Sequence, residues 1–228
     1  MPERAPLPPP EVLAWAERVG AQAAPGSRSV LRQRGTLRGL GSAKWMRFSA
    51  RQSLEAAALA FCWRARVGPL GAVHVEDGLV EGSPVGRVRL FGLLPLAGAE
   101  PGAQLLKGNL QRYLAELPWN PDALLSNPAL RWEAGGHRVL RVAATLSGVE
   151  GSVEFTLDGD GLPQRTFALR PAREGDTFVE REWHGEFGAY EECGGRRVPR
   201  RGRVAWTFEG ERIEVWRGTV THWALARG

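Results

Sequence analysis

The sequence predicts a mainly β (α+β) fold. It is one large antiparallel meander, curved strongly into an open sheet or incomplete β-barrel, with an N-terminal helix and a central helical pair as a lid over its concave side or mouth. Three observations carry this. Two-residue alternation recurs along the chain, as in FCWRARV, where Phe61, Trp63, Ala65 and Val67 share one face and Cys62, Arg64 and Arg66 the other. Tight-turn pairs such as Gly135-Gly136, Gly194-Gly195 and Glu209-Gly210 separate these segments, leaving no room for the crossover helices that parallel strands need. About ten or eleven strands joined this way make a sheet wide enough that accumulated twist must curl it.

In chain order, residues 1–10 are proline-rich and extended. From Glu11 to about Ala23, the residues Val12, Trp15, Ala16, Val19 and Ala23 form a helical stripe fit to pack on something larger, and Pro25-Gly26 ends it. Residues 30–38 read as a first strand at a sheet edge, and residues 45–48 as a second. Ser49 and Gln52 have capping-box spacing, so the alanine-rich run to Ala58 is expected to be a short helix. Strands are expected at 61–67, 72–76 and 85–94, with Asp77-Gly78 as a turn between the last two.

The stretch at 109–126, NLQRYLAELPWNPDALLS, breaks the β pattern. Asn109 is placed to cap a helix whose face carries Leu110, Tyr113, Leu114 and Leu117, and Pro118 ends it. Asn120 then caps a second short helix with Pro121 at its first position, and Trp119 and Leu124 have the spacing of a hydrophobic staple. The meander resumes at 130–134, 138–147, 153–157, 164–170 (with Phe167 and Leu169 on one face), 177–187, 189–193, 203–208 and 213–225. Asp158-Gly159-Asp160-Gly161 resembles part of a calcium loop but lacks the other ligands and the closing glutamate, so it reads as a hairpin turn. The expected organisation is an extension and helix over 1–25 packed on a single open-barrel domain over 26–228, with the helical insertion at about 102–127.

At 228 residues the chain can bury a core without metal or disulfide staples. Cys62 and Cys193 lie in no metal-type spacing and are expected as free thiols. The early arginines are not followed by a signal peptide's apolar run, and no membrane-length apolar stretch occurs, so a soluble, cytoplasmic protein is expected. The net charge of +5 comes almost wholly from arginine, Lys44 and Lys107 being the only lysines, and is weak grounds for a nucleic-acid partner.

YLAELPWNPDALL, Trp132, the run from Trp183 to Tyr190, the GRRVPRRGRVAW segment ending at Trp206, and WRG at 216–218 together resemble an uncharacterised bacterial domain family. The likeness runs from about Trp45 to the C-terminus, while the first 25 residues and the alanine-rich run depart from it. That family has no assigned activity, so the resemblance implies a grouping and no catalytic residues. A more distant likeness, of architecture only, is to lipoprotein carriers of the Lol type, and it implies an open β-barrel with helices as a lid over a hydrophobic cavity.

No nucleophile elbow, phosphate-binding glycine loop or helical zinc motif is present, and His74, His137, His184 and His222 are too dispersed to suggest a metal site; no cofactor or metal is expected. Glu116 is read first as a solvent-facing helix residue paired with Arg112, and second as an acid–base group with Asp77 or Glu186. Arg196, Arg197, Arg200, Arg201 and Arg203 could hold phosphates, though Pro199 points instead to a solvated edge strand. Of nine tryptophans, Trp63, Trp132, Trp183, Trp206 and Trp216 fall in strands and Trp119 at the helical elbow; with Tyr113 they are candidate walls of an apolar pocket, with Arg112 near its opening. The leading expectation is a non-enzymatic protein binding a hydrophobic or amphipathic, lipid-like molecule. The alternatives are an enzyme using the Glu116 pair in the same cavity, and a basic module binding anionic polymers through 196–203.

Overall fold

Thirteen antiparallel strands form one continuous sheet in the computed structural model, which describes residues 8–40, 42–98, 102–175 and 177–227. The first wing is β1 (Ser27–Leu37), β2 (Met46–Glu55), β3 (Phe61–Val67), β4 (Val73–Val80), β5 (Ser83–Leu90) and β6 (Leu94–Gly98). The second is β7 (Arg131–Ala134), β8 (Val139–Leu146), β9 (Val149–Leu157), β10 (Pro163–Glu174), β11 (Thr177–Cys193), β12 (Arg196–Phe208) and β13 (Glu211–Arg227). Each wing is a meander, and they join where β1 pairs antiparallel with β13. This seam bends: its register shifts between Arg32 and Gln33, and the β12–β13 register shifts between Val204 and Ala205. Such bulges add local twist and bend the bulged strand. The result is a curled half-barrel.

Strand order dictates where the helices go. β6 and β7 follow one another in sequence yet occupy opposite edges of the sheet, so the chain between them must cross a whole face. It does so as α2 (Ala103–Ala115), a 3-10 turn at Leu117–Trp119 and α3 (Ala123–Ser126). Leu110, Tyr113, Leu114, Leu117 and Ala123 are fully or almost fully buried against the concave face. Polar side chains tie α2 to both wings: Asn109 Nδ2 donates to the Gly78 and Val85 carbonyls at 2.5 and 3.1 Å, and Gln111 Nε2 to the Leu169 carbonyl at 2.8 Å. Gly151 lets α2 lie close on β9, since a Cβ there would stand 3.1 Å from both Leu110 and Gln111 side-chain atoms.

The N-terminal helix α1 (Pro10–Arg18) buries Val12, Trp15 and Ala16, with Trp15 edge-on to Trp132 and Phe155. It stops at Arg18 and does not reach Ala23. Gly20 takes a φ of +67°, and residues 22–24 then dock through backbone N–H groups onto Asp122 and Ser126 side chains.

Several expectations are corrected. The alanine-rich run forms no helix: residues to Glu55 are β2, because Phe48, Ala50, Gln52 and Leu54 already alternate inward between two partner strands. β1 is not an edge but sits at the seam. Asp77-Gly78 is no turn; both lie inside β4. Asn109 is in mid-helix and Asn120 caps nothing: Ser29 Oγ donates to Asn120 Oδ1 at 2.9 Å, and Asn120 Nδ2 donates to the Glu55 carbonyl at 2.9 Å. On β10 the inward face is Thr166, Ala168 and Ala172, small enough to receive α2, while Leu169 is exposed and Phe167 packs against His184. The Asp158 loop is the expected hairpin turn, with Asp158 Oδ1 accepting from the backbone N–H groups of Asp160 and Leu162.

Candidate functional site

Where α2 does not fill the half-barrel, a cavity of about 180 Å³ remains. Its apolar wall is Trp63 from β3, Trp119 from the elbow, Trp183 and Phe187 from β11, and Val204 and Trp216 from β12 and β13. These rings brace one another: Trp119 meets Phe187 edge-on at 5.3 Å and Trp216 at 6.4 Å, and Trp216 stacks on Phe48 at 5.6 Å. Trp119 lies over Gly202, where a Cβ would come within 3.0 Å of its ring.

From Trp63 a hydrogen-bonded chain with one polarity runs to Glu116, and it borders the cavity at Gln33 and Glu116. Trp63 Nε1 donates to Gln33 Oε1 at 2.8 Å, Gln33 Nε2 to Gln52 Oε1 at 3.2 Å, and Gln52 Nε2 in a short bond to Glu116 Oε2. Arg112 Nε donates to Glu116 Oε1 at 3.0 Å, and its Nη1 makes a short ion pair with Asp77 Oδ2. The indole can only donate, so it sets the orientation of both glutamines and leaves Glu116 to accept at both oxygens. Arg112 also lies over the Trp63 and Phe61 rings, at 5.0 and 5.4 Å from their centroids.

Glu116 is therefore not the solvent-facing residue its position suggested. Burial pushes its carboxyl above the usual glutamate range, against the opposing pull of Arg112 and Gln52. Burial disfavours the charge of Arg112 too, but Glu116 and Asp77 outweigh it and hold the guanidinium pKa above its ordinary value. The donors around Glu116 suit a carboxylate, and Glu116→Gln would turn an amide donor toward another donor. We expect that variant to lose about 1–3 kcal/mol relative to the ionised parent. Because the folded carboxyl titrates above its unfolded value of about 4.3, the native state gains stability from this proton at low pH and loses it as pH rises through the folded value. The deficit of the variant should therefore narrow between pH 4 and pH 7 in urea unfolding; a deficit that widens with pH would contradict the assignment.

Arg170 reaches the same cavity from β10. It lies over Trp183 and Trp206, 4.9 and 5.7 Å from the ring centroids, and its Nη2 donates to the Gly108 carbonyl of α2 at 2.6 Å. Its Nε is shielded from solvent and has no hydrogen-bond partner, and burial brings its pKa down to about 10.

The fold thus gathers Trp63, Trp119, Trp183, Arg112, Glu116, Asp77 and Glu186 around one cavity. Glu186 takes part from the outside, paired with Arg212 at 3.0 Å. Tyr113, Trp132 and Trp206 are not among its lining residues. The Tyr113 hydroxyl donates to the Glu55 carbonyl, Trp132 packs on Trp15, and Trp206 backs Arg170. Gln33, Gln52 and Arg170 were not singled out for the site from the sequence, whereas Trp216, one of the strand tryptophans, does line the cavity. Gln33 and Gln52 carried a signal, for both occupy inward positions of alternating strands where an apolar residue is expected. The basic run is not an edge: β12 lies between β11 and β13, and Arg196 is withdrawn into the core, paired with Asp122 at 2.7 Å. Among the described residues no group of three or more histidine, cysteine or acidic side chains converges as a metal site would require, and no helix is long and apolar enough to cross a membrane.

The sequence pattern of DUF6544, a family of unknown function, matches residues 2–218, so the first 25 residues fall within the family pattern rather than outside it. A search of curated proteins gives no match. Among solved structures, a DUF1329 family protein from Desulfovibrio piger superposes with a TM-score of 0.52 at 13% identity, over 95% of this chain and 91% of that one. A putative outer membrane lipoprotein-sorting protein domain from Vibrio parahaemolyticus gives 0.51 at 10% identity, over 96% and 92%. A LolA superfamily protein from Nitrosomonas europaea gives 0.49 at 10% identity, over 93% and 90%. At these identities the likeness is one of fold.

Proposed function

We propose that this chain, which belongs to the DUF6544 family of unknown function, binds a hydrophobic or amphipathic small molecule in the concave cavity of its curled sheet. The observation that carries the reading is the cavity wall: Trp63, Trp119, Trp183, Trp216 and Phe187 converge on a space that the helical strap leaves unfilled. A domain whose core could close over its own side chains has no need of such a space, and apolar walls with a few fixed polar groups are the usual make-up of a ligand site. The fold shared with a putative lipoprotein-sorting domain supports the same reading. The volume of about 180 Å³ is below the roughly 300–1,000 Å³ of ordinary small-molecule sites, which favours a single short alkyl chain over a lipid with several. The compartment we propose is the cytoplasm, where Cys62 and Cys193 remain free thiols.

The test uses the neutral fluorophore N-phenyl-1-naphthylamine, displaced by 1-octanol. The parent protein should bind it with a blue-shifted, enhanced emission that octanol competes away. Val204→Trp, which fills the cavity from β12, should weaken binding at least tenfold while leaving the melting temperature within a few degrees. Equal binding by both proteins would place the dye elsewhere and defeat the reading.

An acid–base enzyme is the second reading. It is favoured by one observation: Glu116, with its raised pKa, shares the cavity with Asp77. It ranks lower because both Glu116 oxygens already accept from Arg112 and Gln52, and Asp77 already pairs with Arg112.

A further inference from the structure

Of the charged groups around the cavity, Arg112 has its partners built in, since Asp77 and Glu116 both pair with it. Arg170 does not. Among the described residues no carboxylate comes within the 4.0 Å of an ion pair with it, and its one hydrogen bond goes to a backbone carbonyl. Its Nε is buried without an acceptor, a costly state for a charged donor. The rings of Trp183 and Trp206 hold the guanidinium in place, so the fold keeps an arginine fixed beside an apolar cavity with most of its donors unused. Arg203, also lining the cavity but exposed, makes no ion pair among the described residues; Glu186, opposite it on β11, pairs with Arg212.

A planar guanidinium with N–H groups left unpaired, on a residue that lines a partly open cavity, matches a planar or tetrahedral oxoanion, which can accept two of those bonds together. Resting on the reading that the cavity takes an amphiphile, we propose that its ligand carries one compact anionic head group, a carboxylate or sulfate-like oxoanion, and that Arg170 is the group that holds it. The alkyl part then lies among Trp63, Trp119 and Trp216, and Arg203 supplies a second positive charge at the exposed side. Asp77 and Glu116 do not compete for the head group, because Arg112 and Gln52 occupy them.

The experiment is calorimetric titration of the unmodified protein with four probes of equal chain length: octanoate, octyl sulfate, 1-octanol and octyltrimethylammonium. Octanoate and octyl sulfate should bind at least tenfold more tightly than octanol, and the cation most weakly. In Arg170→Met the anions should fall to the level of octanol, whose own affinity changes less than threefold; Arg170→Lys should recover only part of the preference, since it keeps the charge and loses the fork. If all four bind the parent equally, the anionic head group is refuted and the apolar site stands. If none binds, the ligand-binding reading itself fails. If the preference survives Arg170→Met and disappears in Arg203→Met, the assignment to Arg170 is overturned. The head-group ratio is read in the parent, so a misfolded variant does not rescue the proposal.

Discussion

Asp122→Ala should lower the unfolding free energy by about 3–5 kcal/mol, the usual effect of removing one partner from a buried ion pair. Asp122 is fully buried and accepts four hydrogen bonds: from Arg196 Nε and Nη2 at 2.7 and 3.1 Å, the Gln22 backbone N–H at 2.9 Å, and Ser27 Oγ at 3.1 Å. One carboxylate thus joins the helical strap, the segment after α1, the first strand and β12. Removing it leaves Arg196, only 5% exposed, with a buried charge and the Gly195 carbonyl as its remaining partner. The double variant Asp122→Leu/Arg196→Met removes both charges and should regain much of the loss, because desolvating the pair offsets a large share of its attraction. Urea unfolding measures both. A single-variant loss under about 1 kcal/mol, or a double variant worse than the sum of the singles, would show that this junction does not hold the strap.

Trp119→Ala should cost about 3–5 kcal/mol, as truncation of a buried large aromatic does. The ring is 4% exposed, packs on Phe187 and Trp216, and donates from Nε1 to the Pro199 carbonyl at 2.7 Å. Trp119→Phe keeps most of the packing and strands that carbonyl, so its loss should be nearer 1–3 kcal/mol. The two variants separate packing from hydrogen bonding. An alanine variant within about 1 kcal/mol of the parent would mean that the elbow merely lies on the sheet. The backbone carbonyl of Trp119 also accepts from Trp223 Nε1 at 2.9 Å, a bond that neither variant removes.

The curled meander was legible because period-two alternation and glycine turns depend on local sequence alone. The helical strap was legible too, since Pro118 and the leucine face of α2 are local signals. What escaped was set by partners distant in sequence. Residues 49–58 read as helix from their alanines and a capping-box spacing, but inward pairing between β1 and β3 made those up to Glu55 a strand. Asn109, Asn120 and Asp122 have the chemistry of helix caps, and the fold uses all three for long-range bonds. The arginines at 196–203 looked like edge protection because the sequence does not say which strand lies beside β12. The candidate site was half visible. Its tryptophans stand out by type, whereas Gln33 and Arg170 meet only when the curled sheet brings β1 and β10 to one cavity, with Gln52 bonded to Gln33 behind it.

The central claim, that the concave cavity takes an alkyl chain, is tested most directly by a crystal structure of the protein with 8-bromo-1-octanol, whose bromine is located by anomalous scattering. The account predicts a bromine peak between the Trp63, Trp119, Trp183 and Trp216 rings. A fully bound probe with its bromine only on the exposed apolar surface at Phe91, Leu93 and Leu94, or no bromine near the cavity at saturating probe, would contradict it.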